Sequence, residues 1–177
     1  DEEKAIVTDI EGTTRDTVEG SITINGVMLD IIDTAGIRKT NDIVEKIGVN
    51  KSYSLIESAD LVIIVLNNNE KLTEEDKNIL EYCKNKKVIV VINKSDLADA
   101  KQNELWVQYF KNNGQTAILA DCNNGKGINE ILRAVEKQKS SELEEYAKKG
   151  RTGRKIRAMV LGIPNVGKSS FINRVAK

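Results

Sequence analysis

The octapeptide Gly162-Ile-Pro-Asn-Val-Gly-Lys-Ser169 constrains this chain more than any other stretch. It follows the apolar run RAMVLGI (157–163) and leads into SSFINRVAK, which has helical spacing. A chain that leaves a strand through such a turn and enters a helix at once presents the unpaired N–H groups of the helix N-terminus around a concave loop. That arrangement attracts anions. Lys168 adds a positive charge on a long stem, and the Ser169 hydroxyl suits a divalent cation. The spacing GxxxxGK[ST] therefore reads as a phosphate loop in an α/β domain, against the plainer alternative of a strand-turn-helix that merely needs glycines. Its place is unusual, because a loop of this kind normally opens the fold built around it, and here it comes last.

The rest of the chain alternates short apolar runs with amphipathic segments, the pattern of parallel strands joined by helices. GSITI and VMLDII flank Asn25-Gly26, a hairpin signal that predicts an antiparallel pair. LVIIVL (61–66), KVIVVI (87–92), TAILA (116–120) and RAMVLGI read as strands buried on both faces. Helices are predicted over VEKIGVNKSYSLIES, TEEDKNILEYCK, AKQNELWVQYFKN and GINEILRAVEKQ, with Thr73, Glu75 and Asp76 marking one entry. Between Glu136 and Arg157 the composition turns to Lys, Glu, Arg and Ser. This stretch reads as a solvated helix tail with a tether over about 140–155, or alternatively as a basic RNA-contacting patch.

Lys plus Arg (27) balance Asp plus Glu (27), so there is no overall attraction toward nucleic acid or a membrane surface. No apolar run approaches the roughly 20 residues that span a bilayer, and the opening DEEK does not resemble a signal peptide. The expectation is a single cytoplasmic domain, 1–177, with no membrane partner. Cys83 and Cys122 lack metal-ligand spacing and are expected as buried free thiols.

Three further polar loops follow strands or flank them. DTAG (33–36) places Asp33 at a strand end, where a carboxylate meets a divalent cation through water, and Gly36, whose N–H suits a terminal phosphate. NKSD (93–96) follows KVIVVI. The Asp96 carboxylate there can accept a pair of hydrogen bonds from the N1–H and 2-amino group of guanine, which adenine cannot offer. GTTRD (12–16) supplies a hydroxyl able to complete a Mg²⁺ shell. A polar loop after a strand explains each of these alone, but not all of them together.

As a set these motifs resemble those of Ras-like, translation-factor-class GTPases. In that family the order is phosphate loop, switch threonine, DxxG, NKxD and base loop. This chain runs threonine, DTAG, NKSD, base loop, phosphate loop, which resembles a circular permutation of the family order. Residues 1–97 resemble the G domain of the TrmE (MnmE) tRNA-modification GTPases. Residues from about 93, and the 98–177 part as a whole, resemble the permuted ribosome-assembly GTPases of the YlqF (RbgA) type. An engineered chimera is the leading explanation of this double resemblance, and a natural protein with a fresh permutation is the alternative.

The resemblance implies a three-layer α/β P-loop NTPase fold with a six-stranded, mostly parallel sheet containing one antiparallel strand. It implies binding of GTP and GDP with Mg²⁺, and slow GTP hydrolysis. Gly162, Asn165, Val166, Gly167, Lys168, Ser169, Ser170 and Gly36 fall to the phosphates. Asn93, Lys94, Asp96, Cys122 and Asn123 fall to the base, although Cys122-Asn123 departs from the usual Ser-Ala. Ser169, Thr14 and Asp33 fall to Mg²⁺. Asn165, with the backbone of residues 9–13, falls to K⁺. Lys168, Thr14 and Glu45 are the implied catalytic residues. Ile37 stands where Ras-type enzymes carry glutamine, so Glu45 is the implied water-positioning group, its alternative being one more acid on a solvated helix. A transient pairing of two G domains is implied, while RNA binding is not expected of this chain alone. The further domains of the TrmE and YlqF types are not represented in these residues. The alternative to a working GTPase is a nucleotide-binding scaffold whose switch loop, close to the start of the chain, is too loose for hydrolysis.

Overall fold

The computed structural model describes residues 18–24, 27–32, 56–150 and 156–175. Six strands among them, β1 (Val18–Ile24), β2 (Val27–Ile32), β3 (Leu61–Asn67), β4 (Val88–Asn93), β5 (Thr116–Leu119) and β6 (Ile156–Leu161), form one sheet in the order β1-β2-β6-β3-β4-β5. β1 and β2 pair antiparallel, as the hairpin signal predicts, and all other neighbours are parallel. The antiparallel member is thus β1, at the sheet edge. The last strand in the chain, β6, lies at the centre between β2 and β3. The helix expected over VEKIGVNKSYSLIES lies mostly outside the described residues, and only 56–58 are seen, in helical conformation.

The uninterrupted β-branched runs of β3 and β4 belong to strands covered on both faces. Leu61, Ile63 and Val65 with Ile89 and Val91 face one layer, and Val62, Ile64 and Leu66 with Val90 and Ile92 face the other. The first layer holds α3 (Ile128–Lys148), through Ile128, Ile131 and Val135, and α4 (Lys168–Val175), through Phe171, Ile172 and Val175. The second holds α1 (Glu74–Tyr82), through Ile79, and α2 (Ala100–Asn112), through Phe110. The alternation along each strand gives the three layers directly.

α1 and α2 begin at side-chain caps. The Thr73 Oγ1 accepts from the Asp76 N–H at 3.1 Å, while the Thr73 N–H donates to Asp76 Oδ2 at 2.9 Å, a reciprocal capping box. α2 spans 100–112 as predicted, with Asp99 as its cap.

Two expectations need correction. β5 is not buried on both faces: Thr116 is exposed and the next three residues are half-buried, because the strand has a neighbour on one side only. α3 runs ten residues past the predicted end, through most of the stretch expected as a solvated tail. Leu143 and Tyr146 pack against the core, buried Glu142 pairs with Lys87 Nζ at 2.6 Å, and the Tyr146 hydroxyl donates to Asp60 Oδ1 at 2.9 Å. The helix thus takes in 140–148 of the tether expected over about 140–155, and residues 151–155 lie outside the described residues. Among the described residues no helix is long and apolar enough to cross a membrane.

Candidate nucleotide site

Because β3 to β6 are parallel, their C-terminal ends share one edge, and the loops after β6, β4 and β5 converge there. They enclose a cavity of about 420 Å³ lined by Asn93, Lys94, Asn123, Asn165, Lys168 and Ser169, with Pro164, Gly167 and Ser170 completing the wall.

The loop after β6 needs both of its glycines for space. A Cβ on Gly162 would lie 2.5 Å from the Val65 carbonyl oxygen, and one on Gly167, where φ is +100°, would lie 2.2 Å from Asn93 Nδ2. Asn165 occupies the left-handed region at φ +66°, which asparagine tolerates better than most residues. The Lys168 Nζ is buried and donates to the carbonyls of Gly162 (2.7 Å) and Ile163 (3.2 Å), so its charge sits inside the curl of the loop. Val166 is a core residue and contributes to this edge through its backbone. Ser169 and Ser170 open α4 and line the cavity, where a helix N-terminus favours negative charge.

Asn93, the last residue of β4, joins the three loops. Its Nδ2 donates to the Val166 carbonyl at 2.7 Å, and its Oδ1 accepts from the Cys122 N–H at 3.0 Å. The Cys122 amide, expected at the base, is therefore taken up within the protein. Its side chain is buried, and burial pushes the thiol up to about 11. Cys83 is likewise a buried free thiol, pushed up to about 12 by burial. Lys94 holds a left-handed backbone at φ +59°, which turns the chain sharply after the strand. Asp96 is exposed on this turn, outside the residues that line the cavity.

Sequence reasoning passed over three residues here. Asn103, in the first turns of α2, donates to the Ser95 carbonyl at 3.0 Å and accepts from Asn68, bracing the 93–96 turn from below. Asp121 accepts from the amides of Asn123 (3.1 Å) and Asn124 (3.2 Å), and these bonds, with the Asn124 side chain foremost, hold its carboxyl below the usual range. Arg174, near the end of α4, donates to the Asn123 carbonyl. Only Asp121 had a local signal, an Asp followed by two Asn in a turn. Thr14, Asp33, Gly36, Glu45 and the 9–13 loop lie outside the described residues. Among the described residues no three His, Cys, Asp or Glu cluster as a metal site.

A mostly parallel sheet with a lysine-bearing glycine loop between its central strand and a helix defines an α/β fold of the P-loop GTPase kind. A family profile described as "50S ribosome-binding GTPase" matches residues 1–94, and the chain belongs to that family. The chain is 49% identical over 135 residues to the tRNA modification GTPase MnmE of Clostridioides difficile, covering 76% of this chain and 29% of that protein. It is 56% identical over 103 residues to MnmE of Streptococcus thermophilus, covering 58% and 23% respectively. It thus spans less than a third of either relative's length. A GDP-bound structure of TM YlqF aligns over 70% of this chain and 46% of that one, at 24% identity and a TM-score of 0.44.

Proposed function

We propose that this chain binds guanine nucleotides at the cavity between Asn93, Asn123 and Lys168, and hydrolyses GTP to GDP and phosphate. The observation that carries this reading is the pair of Asn93 hydrogen bonds, which ties the NKSD turn to the phosphate loop on one side and to the 121–127 loop on the other. A phosphate end and a base end are thereby held at a fixed distance. Family membership and the sequences of the MnmE relatives support the reaction. Asp96 is the group assigned to guanine specificity.

Ser169, exposed to the cavity at the start of α4, fits a Mg²⁺ ligand, with Thr14 and Asp33 assigned beside it. Mg²⁺, when bound, supplies positive charge against the phosphate oxygens. Asn165, on the cavity wall, is assigned to a K⁺ that neutralises charge at the phosphates, together with the 9–13 backbone. Glu45 is assigned to position the attacking water, and ordering of the 9–13 loop is assigned to transient pairing of two copies.

We also read the chain as a circular permutation with two family resemblances, assembled by design. The central place of β6, last in sequence yet paired with β2 and β3, supports this reading. So does a family match to residues 1–94 that stops short of the phosphate loop.

The test is a titration of the purified chain with GDP and ADP, followed by single-turnover phosphate release from GTP in K⁺ and in Na⁺. Preference for GDP with faster release in K⁺ supports the reading. Equal affinity for GDP and ADP overturns it, and binding without release leaves only the scaffold function.

A further inference from the structure

The 121–127 loop is closed from three directions. Within the loop, the Asp121 carboxylate gathers the amides of Asn123 and Asn124, and the backbone of Asp121 bridges to Lys126. From the sheet, Asn93 Oδ1 takes the Cys122 N–H. From α4, the Arg174 guanidinium donates to the Asn123 carbonyl and lies across Gly125, so closely that a Cβ there would come within 3.1 Å of Nε. Gly125 itself sits at φ +83°.

These anchors are not equivalent. Asp121 shapes the loop but belongs to it, and Asn93 holds its start. Arg174 is the contact that reaches the loop's middle from another element, at the carbonyl of the residue that lines the cavity. α4 begins at Lys168 in the phosphate loop, and six residues of helix place Arg174 about 9 Å further along the axis. One short helix therefore fixes both ends of the cavity.

We propose that Arg174 is a positioning residue for base recognition, holding Asn123 and its loop at the height of the nucleotide base; this rests on the guanine-nucleotide reading above. Arg174 is not among the residues that line the cavity, and it acts through the carbonyl of Asn123, which is. A guanidinium is suited to this, since it donates to that carbonyl from a fixed, planar geometry that a lysine lacks. Its half-buried position on α4 leaves the core contacts of Phe171, Ile172 and Val175 to others.

The experiment compares Arg174→Ala and Arg174→Lys with the parent by titration with GDP and, separately, with inorganic pyrophosphate, both with Mg²⁺, alongside thermal melting. Loss of a charge-assisted bond predicts that Arg174→Ala weakens GDP by about tenfold or more, with pyrophosphate affinity unchanged. Arg174→Lys falls between, since it keeps the charge but not the fork. GDP affinity within twofold of the parent overturns the proposal. A parallel loss of GDP and pyrophosphate affinity also overturns it, since that is the mark of a damaged helix. Should the alanine variant fail to melt cooperatively, the same comparison with Arg174→Lys decides. A parent that binds pyrophosphate but not GDP overturns the nucleotide reading, and this proposal with it.

Discussion

The side-chain amide of Asn93 donates to the main-chain carbonyl of Val166 at 2.7 Å, so the end of β4 and the turn before α4 are one hydrogen-bonded unit. Asn93 is buried, and its other amide atom is engaged by Cys122. Asn93→Ala leaves a buried carbonyl and a buried N–H unpaired, at about 1–3 kcal/mol for each group. Urea denaturation should show this loss, and GDP affinity should fall with it. Asn93→Asp should be worse, since it sets a carboxylate against the Val166 carbonyl.

Glycine substitutions should rank by space. Gly162→Ala drives a Cβ to 2.5 Å from the Val65 carbonyl oxygen, in the backbone of β3, which cannot retreat. Gly114, at φ +75°, has nothing within 4 Å of the same position, so alanine there meets only the conformational cost of about 1–2 kcal/mol. Denaturation midpoints should fall clearly further for Gly162→Ala than for Gly114→Ala.

The two thiols should make the fold sensitive to alkali. Burial raises Cys83 from 9.0 to about 12, and its thiol is therefore held protonated in the fold at a pH where the unfolded chain has lost the proton. A raised value means that stability is complete below about pH 9 and drains away as pH rises toward 12. Cys83→Ala should flatten that decline between pH 9 and 11, as read by urea midpoints. At neutral pH both native thiols should alkylate slowly, and quickly once unfolded.

Specificity and hydrolysis should separate by residue. Asp96→Asn should weaken guanine nucleotides and favour xanthine nucleotides, whose ring offers the complementary groups, as measured by competition binding. Glu45→Ala should slow single-turnover phosphate release with GTP affinity nearly unchanged. Parental release by Glu45→Ala would make Glu45 a surface acid.

The central sheet was legible because β3 and β4 carry unbroken apolar runs, and α2 because AKQNELWVQYFKN carries helical spacing. The end of α3 was not. EKQKSSELEEYAKK reads as polar, and the burial of Glu142 depends on Lys87, a partner far away in sequence. The phosphate loop and the NKSD turn were legible as chemistry, since glycine, lysine and aspartate at those spacings have few other uses. Arg174 and Asn103 were not, because each acts through a main-chain carbonyl of another loop, and a carbonyl leaves no mark in sequence. Asp96, the clearest sequence signal for the base, stands exposed away from the cavity wall, and its assignment therefore still rests on its motif.

The place of β6 sets an order of events for the chain as it folds. β1 and β2 form from a local hairpin, and β3, β4 and β5 lie close in sequence, so both halves of the sheet can assemble early. They cannot join, because Leu29 and Leu61 each find their neighbour in Ala158. Until that strand arrives, two unsatisfied edges face one another across a gap, and closing the long loops that bring it there is slow. Insertion of β6 should therefore limit the rate of folding, and since the same step completes the cavity at the strand ends, refolding and the gain of GDP binding are expected to share one rate constant.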